Sequence, residues 1–60
     1  MSRRFYFTDD NAENIAPDYI GDIRGARTYA QSIANGLGEV ITINDCFTDD
    51  IIDFVYPPYK

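Results

Sequence analysis

The chain has no histidine, no tryptophan and a single cysteine, Cys46. One thiol excludes a disulfide within a monomer. With no imidazole beside it, the thiol cannot complete a tight structural zinc site. Cys46 also lacks a histidine to activate it as a nucleophile, so it reads as a small semi-buried filler. A lone thiol fits a reducing compartment, and the chain reads as cytoplasmic. Positive charge is scarce as well: five Lys/Arg stand against ten Asp/Glu, a net charge of −5. That balance disfavours nucleic acid and anionic membranes, both of which need basic patches. No apolar run approaches the ~20 residues of a membrane span. Arg3 and Arg4 are not followed by an apolar stretch, so no signal peptide is read.

Sixty residues are read as one small domain, 1–60. A chain this short buries only about 60% of the surface that its unfolded form exposes. Small domains add disulfides, a metal or a partner subunit to offset that. With the first two excluded, the remaining routes are oligomerisation and a well-packed aromatic core. Five tyrosines and four phenylalanines suit both.

Helical periodicity is confined to one segment. Ile23, Ala26, Ala30, Ile33, Ala34 and Leu37 recur every three or four residues and predict one amphipathic helix. Asp22 is its expected N-cap. Asn35-Gly36-Leu37-Gly38 is its stop, because glycine takes the left-handed cap without a Cβ penalty. A glycine-rich stretch after a helix is not a phosphate loop, which must precede one. Gly25 reads as a weak point, costing about 1 kcal/mol relative to alanine.

The remaining apolar segments are short and β-like. Arg4–Thr8 alternates and predicts a half-buried strand. Asp9-Asp10-Asn11-Ala12 is a turn, and residues 14–16 are an optional edge strand ended by Pro17. Glu39–Asn44 and Ile51–Tyr56 follow as two strands, the second stopped by Pro57-Pro58. Tyr59-Lys60 is a tail. The expected fold is α+β, one helix on a three- or four-stranded, mainly antiparallel sheet, in the order β-(β)-α-β-β.

That order leaves one sheet face without a covering layer. Phe5, Phe7, Ile41, Ile43, Ile52, Phe54 and Tyr56 are assigned to the helix side, with Asp53 outward. The opposite face then carries Tyr6, Val40, Thr42, Cys46, Ile51 and Val55. Of these, Tyr6, Val40, Thr42, Ile51 and Val55 form the expected oligomer face, because an exposed patch of this size and character marks an interaction surface. A homodimer is the favoured assembly.

Carboxylates form two sequence clusters, Asp9/Asp10/Glu13 and Asp45/Asp49/Asp50/Asp53. Neither matches a calcium loop: an EF-hand needs glycine at its sixth position and glutamate at its twelfth. Those positions are Asp50 and Tyr56 when counted from Asp45, and Asn14 and Ile20 when counted from Asp9. Paired carboxylates do acid–base work only in a pocket that shifts one pKa, and one helix on one small sheet encloses little cleft. No catalytic residue, metal or cofactor is therefore implied. Asp9, Asp10, Asp49, Asp50 and Asp53 are read instead as a surface for a protein partner with a basic groove.

In size, acidity and β-α-β-β order the chain resembles the small acidic orphan proteins of bacterial phages and mobile elements, anti-CRISPR inhibitors among them. The resemblance implies a non-enzymatic inhibitor or accessory factor that binds another macromolecule, and no functional residue is carried over from it. Two alternatives stay open. One is an oligomeric nucleic-acid-binding module using Arg3, Arg4 and Tyr6. The other is a divalent-ion-dependent site at a subunit interface.

Overall fold

A computed structural model describes residues 3–58. Ser2 and the Tyr59-Lys60 tail lie outside the described residues. The element order is β1 (Arg3–Thr8), β2 (Tyr19–Gly21), α1 (Ile23–Leu37), β3 (Ile41–Asp45) and β4 (Ile51–Val55). The four strands form one antiparallel sheet in the order β2-β1-β3-β4. The fold is α+β, one helix on a four-stranded sheet. β2 and β3 flank β1, and α1 connects them across one face.

The helix begins and ends where the chain supplies caps. The Asp22 carboxylate accepts a hydrogen bond from the Gly25 amide at 2.9 Å, satisfying one of the orphan donors of the first turn. Gly38 adopts φ 71°, and its amide donates to the Ala34 carbonyl at 2.8 Å, a left-handed stop. Between these ends Ala26, Ala30 and Ala34 are fully buried. Their short side chains bring the helix axis close to the sheet, where they meet Phe5, Phe7, Ile41, Ile43 and Val55. Full burial of each large side chain contributes about 1.5–3 kcal/mol.

Gly25 is not the weak point that helix propensity makes it. The Tyr19 ring lies across its backbone, and a Cβ there would stand 1.9 Å from Tyr19 Oη and 2.7 Å from Cζ. The ring is also stacked on Tyr29 at 5.8 Å, and Tyr29 meets Phe7 edge-on at 5.2 Å. Glycine at position 25 thus makes room for the contact that ties β2 to the helix.

Two further expectations are corrected. The second strand is Tyr19–Gly21 rather than residues 14–16, which contribute only an isolated bridge between Thr8 and Asn14. Pro17 precedes this strand instead of ending it. The face assignment of β4 is also inverted over part of its length. β3 pairs Ile43 with Asp53 and Asn44 with Ile51, so Ile52 is an inserted bulge residue. A bulge shifts the alternation by one position. Val55, expected on the open face, is therefore in the core at 8% exposure, while Phe54 and Tyr56, expected inside, are 46% and 64% exposed. Asp53 faces the helix and pairs with Arg27 at 2.7 Å.

The open sheet face as candidate functional site

Residues directly opposite each other on neighbouring strands project to the same face. Phe5, Phe7, Ile41 and Ile43 face α1, so their neighbours face away from it. The uncovered face reads, from β2 to β4, Ile20 beside Arg4, Tyr6 beside Asn44, Thr8 beside Thr42, Asn44 beside Ile51 and Thr42 beside Phe54. Its apolar residues lie on the two outer strands, with Ile20 at 62% exposure on one side and Ile51 at 60% on the other. The two central strands supply a polar stripe between them.

That polar stripe is already hydrogen-bonded from within. Arg4 Nε donates to Asp18 Oδ2 at 3.0 Å. The Tyr6 hydroxyl donates to Asp49 Oδ1. The Asn44 amide nitrogen donates to Thr8 Oγ1 at 3.2 Å and to the Tyr6 and Thr42 carbonyls at 3.3 Å each. Asn44 is buried despite its place on the open side. The bond to Asp49 is the largest of the effects that raise the Tyr6 pKa above its ordinary 10.0; desolvation and the charges of Asp49 and Cys46 act the same way. Polar groups that already have internal partners lower the cost of removing water from this face, because their hydrogen bonds are kept when it is covered.

The β3–β4 loop stands at one end of this face and is held by Asp45. Its carboxylate accepts from the amides of Phe47 at 2.8 Å and Thr48 at 3.1 Å, and from Arg3 at 2.9 Å. These bonds, the one from Arg3 first, hold the Asp45 pKa below the usual carboxylate value. Arg3 also lies over the Phe5 ring at 5.0 Å, closing that end of the core. Asp49 sits at φ 66°, a conformation that aspartate tolerates better than most residues. The loop carries Phe47, 79% exposed. It also carries Cys46, which is exposed rather than the semi-buried filler expected of it.

The five carboxylates expected to form one surface are not brought together. Asp9 and Asp10 follow β1 at its Thr8 end, while Asp49 and Asp50 lie in the loop at the Arg3 end. The length of β1, about 17 Å at ~3.3 Å per residue, separates the pairs. Asp53 is on neither end and faces the helix. Three of the five also have structural partners: Asp9 accepts from the Asn11 and Glu13 amides, Asp49 from Tyr6, and Asp53 pairs with Arg27. Of the expected oligomer face, Tyr6, Thr42 and Ile51 are on the open side. Val40 is half-buried just before β3, and Val55 is in the core. Ile20 and Phe54 are the additions that sequence reasoning missed. Register against β1 identifies the first, and the bulge identifies the second.

Among the described residues no group of three or more Asp, Glu or Cys side chains is placed to hold a metal ion, and no helix is long and apolar enough to cross a membrane. No family model matches this chain, and no curated protein or solved structure matches it either.

Proposed function

We propose that this chain is a non-enzymatic interaction protein that acts by burying its open sheet face against another macromolecule. The observation that carries the reading is the composition of that face: Ile20, Ile51 and Phe54 exposed around polar groups that already have internal partners. The apolar residues supply area, and the satisfied polar groups keep desolvation inexpensive. An acidic inhibitor or accessory factor of the phage or mobile-element kind is the most concrete form of this reading. The carboxylates at the two ends of the sheet would then speed association with a basic partner.

Nucleic-acid binding is the weaker alternative on the same geometry. The arginines it depends on are engaged, Arg3 by Asp45 and Arg4 by Asp18. Arg27 is held by Asp53, which leaves Arg24 as the one arginine without a carboxylate partner among the described residues. Few phosphates would be neutralised by such a surface.

A photo-crosslinking residue placed at position 54, on the open face, and separately at position 28, on the outer side of the helix, tests the proposal in cells expressing the protein. Adducts from position 54 and none from position 28 are expected. Adducts from position 28 alone, or none from position 54, would contradict it.

A further inference from the structure

The open face differs in charge from the rest of the chain. The chain carries −5, yet the face holds one internal ion pair, Arg4–Asp18, and the hydrogen-bonded Asp49. Asp10, Glu13 and Glu39, which have no cationic partner among the described residues, stand beyond its Thr8 end, and Asp50, likewise without one, stands beyond the other. A basic partner would find its attraction at the ends of the sheet and little at its centre. A second, equally acidic copy meets least repulsion when the contact is a near-neutral patch with the charges held outside it.

Both edges of the sheet carry features that disfavour strand addition. β2 is three residues long, with Pro17 just before it and Gly21 at its end. β4 carries the Ile52 bulge and turns Asp53 toward the helix side. Short length, a bulge and an inward-facing charge are the devices that prevent edge-to-edge pairing. A copy of the chain is thereby directed away from both edges and toward the face, where two-fold symmetry closes the assembly at two subunits.

We infer, building on the reading of this face as an interaction surface, that the face is covered by a second copy of the chain in a face-to-face dimer. The polar stripes of the two sheets meet at the centre, and Ile20, Ile51 and Phe54 of each copy contribute the apolar flanks. Four strands of three to six residues span roughly 19 Å by 7–17 Å, a few hundred Å² per copy at most. Stable interfaces bury about 800 Å² per partner, so the dimer belongs to the weak, concentration-dependent class.

Sedimentation equilibrium over about 10 μM to 1 mM, the span of weak association, tests this directly. The weight-average mass should rise from 6.8 kDa toward twice that value. Phe54→Glu and Ile20→Glu should each hold it at 6.8 kDa and keep the folded circular-dichroism spectrum, while Arg24→Glu, on the helix, should associate as the parent does. Raising salt from ~20 to ~300 mM should tighten the dimer by screening like charges, where it would loosen a complex with a basic partner. A parent that stays at monomer mass throughout, or face variants that associate like the parent, would overturn the inference. Adducts from position 54 separate this failure from that of the underlying reading. An adduct of other than doubled mass leaves the face an interaction surface with a different occupant, and no adduct at all removes both.

Discussion

Replacing Gly25 by alanine should have opposite effects depending on Tyr19. Helix propensity alone favours the substitution by about 1 kcal/mol. In the folded chain, however, the new Cβ would lie 1.9 Å from Tyr19 Oη, 2.7 Å from Cζ and 3.1 Å from Cε2. Contacts below 3 Å do not persist, so the ring must swing away from the helix and out of its stack on Tyr29. An aromatic pair is worth about 0.5–1.5 kcal/mol. Re-exposing part of a half-buried ring adds about 1 kcal/mol, a fraction of the ~1.5–3 for a fully buried large side chain. The loss of about 2 kcal/mol exceeds the propensity gain, and Gly25→Ala should destabilise the parent by about 1 kcal/mol. In a Tyr19→Ala background the obstacle is gone and the same substitution should stabilise by about 1 kcal/mol. Urea unfolding of the four proteins, followed by circular dichroism, measures the cycle. A coupling energy of about 2 kcal/mol is expected. Gly25→Ala stabilising both backgrounds equally would refute the packing argument.

The register of β4 makes a second prediction. Val55→Ala should cost about 2 kcal/mol, from two buried carbons and the cavity they leave, whereas Phe54→Ala should cost less than about 1 kcal/mol because half-exposed sites tolerate change; the reverse order in urea midpoints would place the bulge elsewhere. Stability should also fall at both ends of the pH range. The Asp45 pKa is lowered by folding, so its contribution is complete above the ordinary value of 3.8 and is lost as pH falls through the lower folded value. The Tyr6 pKa is raised, so its contribution is complete below 10.0 and is lost as pH rises through the higher folded value. Asp45→Asn should flatten the acid limb and Tyr6→Phe the alkaline limb of thermal midpoint against pH; unchanged limbs would contradict the two hydrogen-bond assignments.

Most of the fold is legible in local sequence patterns. The stripe from Ala26 to Ala34, bounded by Asp22 and Gly38, specifies the helix. The alternation of Phe5 and Phe7, and of Ile41 and Ile43, specifies the two central strands and their buried side. β2 escapes such reading because Tyr19-Ile20-Gly21 is too short to alternate and its glycine resembles a helix lead-in. β4 is ambiguous for a different reason. Ile51, Ile52, Phe54, Val55 and Tyr56 are apolar at both parities, and only pairing with β3 reveals that Ile52 is inserted. The candidate site inherits both difficulties. The open face was foreseeable from one helix on one sheet, but Ile20 and Phe54 join it only through register. The two sequence clusters of carboxylates stay apart in space because antiparallel pairing sends the end of β1 and the end of β3 in opposite directions.

The central claim is that a second copy of the chain covers the open side of its sheet. An amide chemical-shift titration of the ¹⁵N-labelled chain against its own concentration tests it most directly. Changes should gather at Arg4, Tyr6, Ile20, Thr42, Ile51 and Phe54 and leave Arg24, Thr28 and Asn35 on the helix unmoved. Changes centred on the helix, or a spectrum that stays constant to about 1 mM, the upper end of weak association, would contradict the account.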